Sequence, residues 1–596
     1  MTRNDAISTR IKIMCLIFFV VLAWLAFHLY EVQITRHDEL YGKARDTYTS
    51  VKTKQGKRGE IYDYDGNLLV GNIPCFDLCA DPEIIGDEEN CRIAAGIIAK
   101  ELPELKKDDL VKRLMKKTRN SEINGKPVGI KNNYAFIASN VELKTAKDIE
   151  DALKKKKIKG ISFKETTKRY YPKNELLANI LGFTNIDRDE VIAVIGLEKF
   201  FNEFIKPSSS EIHYERARDG LPLSYGWQNK IDDAKDGMNV YLTIREPIQA
   251  ILEEELDKLM DKWKPRAAYA IMADPFTGSI IAVAQRPTFN PNDRKSMLDP
   301  DAWRNRITED IFEPGSIMKP MAVAGAIDSG IVTPNTSFDC ENGAWFYGGK
   351  MLRDSHPLSL LTVSQIIQKS SNIGTAKIAL KMGERHLYYT LKSFGFGDKT
   401  GVPLKPETSG IFRPLKKWDT LSITRFPIGQ GIGVSPLQLV RAYCALANGG
   451  YLVKLRMIDK LENPDTGHII KIPVKPGMKI FKNSKTHQQI VSMMKLVTQK
   501  GGTATKAAID GYQVAGKTGT SQKVINGQYS HSKFFASFAG FVPADNPAFV
   551  LFVTVDEPQG AEYGGTISAP AFREISERTL RYLDIKPDVL STVVSK

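Results

Sequence analysis

One hydroxyl, two amines and an amide recur in this chain in settings that suit acyl transfer. In Glu313-Pro314-Gly315-Ser316-Ile317-Met318-Lys319 the serine opens a predicted helix and the lysine follows three residues later, on the same helix face. A serine hydroxyl is a weak nucleophile until a base takes its proton, and a neutral lysine amine within reach can do that. Bringing a lysine from about 10.4 towards about 7 requires roughly 4 to 5 kcal/mol of differential destabilisation of the ammonium. Burial and a second nearby cation are the expected causes. The turn from Pro-Gly into a helix also leaves backbone N–H groups free to face an oxyanion.

S-x-x-K alone is weak, because Ser492-Met493-Met494-Lys495 matches it too, inside a helix-like pattern. Context favours Ser316. Ser370-Ser371-Asn372 supplies a hydroxyl that can relay a proton and an amide that can bind a peptide carbonyl; its bland reading is helix-surface polarity. Lys517-Thr518-Gly519-Thr520 lies on a probable strand, where Gly519 admits a substrate backbone and Lys517, Thr518 and Thr520 offer donors to a carboxylate. Lys399-Thr400-Gly401 repeats that tripeptide in a loop composition after Phe394-Gly395-Phe396-Gly397 and reads as a turn. The ordered set S-x-x-K, S-x-N, K-T-G is far more specific than any member.

The elements that must carry these groups are readable in outline. NVYLTI, AAYAIMADP and SIIAVAQ after Gly237 give β-rich apolar runs around the turn Asp274 to Gly278. Helical patterns follow near Ile317 to Ser329, Val363 to Met382, Pro436 to Ala447 and Thr486 to Gln499. Strands are predicted near Tyr512 to Thr520, Phe534 to Phe541 and Ala548 to Val555, and a helix near Pro570 to Leu583. That order predicts one α/β sandwich whose sheet is assembled from both ends of the domain.

The 596 residues predict two to four domains, and 42% hydrophobic with 26% charged residues is ordinary globular usage. Residues Ile13 to Tyr30 form an apolar run with His28 its only ionisable side chain before Tyr30, which reads as an uncleaved single membrane crossing rather than a signal peptide. Arg3, Arg10 and Lys12 before it favour a cytoplasmic N-terminus, against Arg36, Lys43 and Arg45 after it. The net charge of +14 suits anionic partners, but lysine-rich stretches such as Leu105 to Asn120 and Lys154 to Lys157 lack aromatic interleaving, so nucleic acid is disfavoured. Their bland reading is a solvated helix face; the sharper one is adhesion to anionic wall polymer or lipid headgroups.

Other chemistries fit less well. The eight histidines include no H-E-x-x-H, so no metal site and no cofactor are expected. Cys75, Cys79 and Cys91 could pair among themselves, yet read better as small buried residues. Gly511 to Thr518 matches a Walker A expression and Leu551 to Glu557 resembles a Walker B strand, but Gly519-Thr520-Ser521 leads into polar sequence where a P-loop needs a helix.

The ordered motifs resemble those of penicillin-binding proteins and serine β-lactamases. Arg58-Gly59-Glu60-Ile61-Tyr62-Asp63, Arg169-Tyr170-Tyr171-Pro172, Gly196-Leu197-Glu198, Gly429-Gln430-Gly431 and Gly501-Gly502-Thr503-Ala504 narrow the likeness to class B penicillin-binding proteins. Leu181-Gly182-Phe183-Thr184-Asn185 looks more like division-associated members than elongation-associated ones. Arg245 departs from the family's usual Asp and puts one linker contact in doubt.

The resemblance implies a multidomain α+β chain: tail 1–12, transmembrane helix 13–30, elongated pedestal or dimerisation-like module 31–236, and transpeptidase domain 237–596 with an antiparallel sheet flanked by helices. It implies a D,D-transpeptidase acting on stem peptides that end in D-Ala-D-Ala, trapped by β-lactams, single-pass in the inner (plasma) membrane with its catalytic domain on the extracytoplasmic side. Ser316 would be acylated, Lys319 its base, Ser370 and Asn372 relay and holder, and Lys517, Thr518, Gly519 and Thr520 the substrate-binding strand. The oxyanion hole would be the N–H groups of Ser316 and Thr520. A polytopic glycan polymerase and division proteins are the implied partners. A β-lactamase would need a deacylating carboxylate; Glu384 in Glu384-Arg385-His386-Leu387-Tyr388 lacks the expected Asn and reads as ordinary helix.

Overall fold

The structure, a computed structural model, describes residues 3–588 except 124–125, 133, 188–189, 216–228 and 231–233. The chain forms two compact units, one from Met1–Lys57 with Pro207–Gly237, the other from Arg58–Lys206 with Met238–Lys596. In the first, helix α1 (Arg3–Tyr30) runs on into a π-turn over Glu31–Thr35. Its segment Ile7–Thr35 has a mean hydropathy of 2.4 and no buried residues, so its apolar side chains face outward all round, long enough to cross a membrane. The same unit holds a three-stranded antiparallel sheet of Thr49–Gln55, Ser209–Glu215 and Asn229–Lys230.

The second unit is organised by a five-stranded antiparallel sheet. Its strands are β1 (Ala267–Ala273), β2 (Ile280–Arg286), β3 (Ala515–Ile525), β4 (Gln528–Val542) and β5 (Phe549–Asp556), in the order β2-β1-β5-β4-β3. Every residue of β1 and β5 is buried, as continuous apolar runs covered on both faces should be. The sheet is thus closed from both ends of the domain, as the element order predicts. Helix α2 (Glu246–Trp263) and helix α8 (Gly564–Tyr582) pack on it, while α3 (Lys319–Asp328), α4 (Val363–Lys369), α5 (Asn372–Met382), α6 (Pro436–Ala447) and α7 (Thr486–Thr498) belong to the same hydrophobic core. Capping boxes fix two starts: Thr362 with Gln365 for α4, and Ser435 with Gln438 for α6.

Three element expectations need correction. The pattern Val363 to Met382 is two helices, because Ser370 takes a left-handed backbone (φ 61) and Ser371 then caps a new helix through Gly374 N–H. The last helix starts at Gly564 rather than Pro570, with Pro570 inside it; Gly564 N–H meets Thr520 Oγ1, and a Cβ there would lie 2.1 Å from Ser537 O. The helix near Ile317 begins as a 3₁₀ turn over Gly315–Met318, and α3 proper opens at Lys319 with Pro320 in its first turn, where a missing N–H costs nothing.

Strand β3 runs five residues past Thr520, to Ile525, and folds back into β4, so the segment after Lys517-Thr518 is strand where a P-loop needs a helix. A separate sheet carries Ile61–Tyr62, Leu68–Ala80, Ala135–Glu142 and Ile161–Tyr170, joined through Asn239–Leu242 to Ile458–Glu462. Beside it Arg58, Arg169 and Glu198, from three distant segments, form one buried ion triad: Arg58 Nε to Glu198 Oε2 at 2.8 Å and Arg169 Nε to Glu198 Oε1 at 2.6 Å. Arg245, the departure from the family pattern, pairs with Asp65 at 3.3 Å and stacks 4.5 Å over Tyr64. Cys75, Cys79 and Cys91 are buried and unbridged. Lys154 and Lys155 lie exposed at the end of helix Leu143–Lys155.

Candidate active site

Ser316 sits on the 3₁₀ turn, which three contacts hold in place. Gly315 N–H donates to Gly429 O at 3.1 Å, Tyr443 of α6 donates to Ile317 O at 3.0 Å, and Gly431 N–H donates to Glu313 Oε1 at 2.8 Å. Gly315 has φ 59, and a Cβ there would meet Ser521 Cβ at 3.1 Å and Thr520 O at 3.3 Å. The Ser316 turn therefore lies directly against β3, and only glycine fits that approach. The Ser316 hydroxyl makes no hydrogen bond with a described residue.

One helical turn further, Lys319 is completely buried. Its Nζ donates to Asn372 Oδ1 at 2.8 Å, to Ser370 Oγ at 3.2 Å and to the Ser370 carbonyl. Lys517 Nζ, equally buried, donates to the same Ser370 Oγ at 2.8 Å and to Thr518 O at 3.1 Å. Four of the five expected catalytic groups are thus joined in one hydrogen-bonded chain, and the fifth, Ser316, three residues before Lys319, makes no bond into it.

Burial pushes the Lys319 amine down to about 7, against the opposing pull of Asp354 and Cys340. The expected second cation acts in the other direction. Lys517 is held well below the ordinary lysine range by burial first and by Lys319 second. Once Lys319 is neutral its lone pair can accept, so Ser370 Oγ can receive a proton from one amine and pass one to the other.

Sequence reading missed Asp354. It ends the exposed hairpin of Ala344–Tyr347 and Lys350–Arg353, and its Oδ1 accepts the N–H groups of Asn372 and Ile373, the latter at 3.1 Å. Its Oδ2 accepts from Ser371 Oγ at 2.6 Å, and Arg353 O accepts Asn372 Nδ2 at 2.8 Å. The start of α5 is therefore clamped by a carboxylate from another element, which no local pattern announces. Thr503 is also at the site, its hydroxyl 2.8 Å from that of Thr518.

The duplicate motifs are not assembled. Ser492 lies within α7 and donates to Gln488 O at 2.8 Å, while Lys495 pairs with Asp545 at 2.6 Å. Thr400 is tied into a loop by Glu407, as the turn reading expects. Glu384 opens helix Glu384–Ser393. Among the described residues no cluster of His, Cys, Asp and Glu could hold a metal.

Comparison with known proteins covers both units. The family model for the penicillin binding protein transpeptidase domain matches residues 268–577, and that for the penicillin-binding protein dimerisation domain matches residues 53–242. Over 591 residues, 98% of this chain and 94% of the relative, the chain is 33% identical to the peptidoglycan D,D-transpeptidase FtsI of Escherichia coli strain K12. It is 30% identical over 597 residues to the stage V sporulation protein D of Bacillus subtilis, covering 98% of this chain and 88% of that protein. The crystal structure of penicillin binding protein 2X from Streptococcus thermophilus matches with a TM-score of 0.73 and 24% identity, over 89% of this chain and 80% of that one, a likeness of fold.

Proposed function

The chain belongs to the class B penicillin-binding proteins and is a peptidoglycan D,D-transpeptidase of the division type, and on that premise we propose that Ser316 is its acylated nucleophile. The observation that carries this is the hydrogen-bonded chain Lys517–Ser370–Lys319–Asn372, with both lysines fully buried and Lys319 three residues after Ser316. Lys319, lowered to about 7 and so about half neutral at that pH, takes the serine proton in its neutral form; Oγ attacks the carbonyl between the two D-alanines; and the oxyanion faces the N–H groups of Ser316 and Thr520. Ser370 carries the proton onward to the leaving D-Ala amine. Asn372 holds the substrate, and Lys517, Thr518 and Thr520 along β3 bind its carboxylate, with Gly519 admitting its backbone. An amine of a neighbouring stem then replaces Oγ on the acyl carbon.

The protein acts on peptidoglycan and binds β-lactams. A β-lactam acylates the same serine and is expected to stay, since Glu384, the candidate for a deacylating glutamate, opens an ordinary helix instead. We take 1–12 as a cytoplasmic tail, 13–30 as the anchor, 31–236 as the pedestal and 237–596 as an extracytoplasmic catalytic domain in the plasma membrane. A polytopic glycan polymerase and other division proteins are its proposed partners. Mapping the penicilloyl adduct by mass spectrometry tests the core of this reading: a single adduct on the peptide containing Ser316 is expected, and one elsewhere rejects it.

A further inference from the structure

Three residues before Ser316, Glu313 belongs to a second set of charged and polar groups. Glu313 Oε1 accepts from Gly431 N–H at 2.8 Å, and the Tyr529 hydroxyl donates to Glu313 Oε2 at 3.0 Å. Burial raises the Glu313 carboxyl, while those two donors favour its ionised form. Arg425 precedes the loop that grips the turn: Gln430 N–H donates to Arg425 O, Gly429 O receives Gly315 N–H, and Gly431 N–H reaches Glu313. Its guanidinium makes no ion pair or hydrogen bond with a described residue, and Nη1 is buried without a partner.

A half-buried guanidinium without an acceptor is costly, and its fork geometry suits a carboxylate. The donor peptide's terminal carboxylate is already assigned to Lys517, Thr518 and Thr520. We propose that Arg425 and Glu313, held by one loop beside the Ser316 turn, form the acceptor subsite and select an amine whose own carbon bears a carboxylate. Arg425 takes that carboxylate and Glu313 holds the ammonium before it loses its proton and attacks. The acceptor is therefore the α-amino-acid end of a diamino acid rather than a plain alkylamine. This deepens the transpeptidase reading and rests on Ser316 being the acylated residue.

The test uses the full-length protein in detergent, a D-alanyl thioester donor, and two acceptors: D-alanine and D-alaninamide, which lacks the free carboxylate. The readout is the ratio of aminolysis to hydrolysis of one acyl-enzyme, so only folded, acylated molecules count. The unaltered protein is expected to favour D-alanine over its amide at least tenfold, and Arg425→Gln to abolish that preference by losing transfer to D-alanine alone. Arg425→Lys, which keeps the charge without the fork, should recover part of it. Equal use of both acceptors by the unaltered protein, or a preference that survives Arg425→Gln, overturns the proposal. Failure of the Ser316 assignment shows separately, as penicillin labelling that persists in Ser316→Ala.

Discussion

Lys319 is completely buried, and as the proposed base it would set the working pH through that environment. Its folded pKa of about 7 lies below the ordinary value of 10.5, so between these limits the unfolded chain holds the extra proton. Its contribution to stability therefore rises with pH across that window, and below about 7 the fold must bury an ammonium. The β-lactam acylation rate should climb with pH through a midpoint near 7; a rate flat from pH 6 to 8 would contradict the base assignment. Lys319→Ala should slow acylation by at least about 10²-fold, the usual cost of a lost general base, in stopped-flow labelling. Ser316→Ala should abolish labelling, whereas Ser492→Ala and Lys399→Ala should leave it intact, as seen by fluorescent penicillin on gels.

At the scale of elements the decisive feature is the break between α4 and α5. A continuous helix would direct Ser370 and Asn372 about 200° apart around its axis, by 3.6 residues per turn; the left-handed Ser370 lets both reach Lys319. Asp354→Ala removes the acceptor of two first-turn N–H groups of α5, beside the Ser371 cap, and should cost about 0.5–2 kcal/mol in chemical denaturation. Asp354→Asn keeps an acceptor but loses the charge that raises Lys319, so the acylation midpoint should move to lower pH; an upward move would refute the coupling. The motifs themselves were legible because their chemistry is local: Ser316, Lys319 and Lys517-Thr518-Gly519 announce themselves by type and order. The helix break and the clamp were not, since Ser371 reads as an ordinary helix residue until Asp354 meets it from a distant hairpin. Gly564 failed to mark a helix start for the same reason, because its fit against Ser537 exists only after folding.

Across the whole molecule, separated stretches of chain depend on one another. Glu198 pairs with both Arg58 and Arg169 inside the second unit, so Glu198→Ala should cost about 3–5 kcal/mol by leaving both guanidiniums without their shared carboxylate. Urea unfolding measures this; a loss below 1 kcal/mol would mean that water reaches the site. The five-stranded sheet makes the same point about order in time. Its middle strand, β5, is also the last to be made, and without it β1 and β4 have no common neighbour. Such long-range pairing folds slowly. Until Asp556 has been made, the first strand of the domain has an unpaired edge, so capture of a β-lactam is expected only once the final strand has closed the sheet.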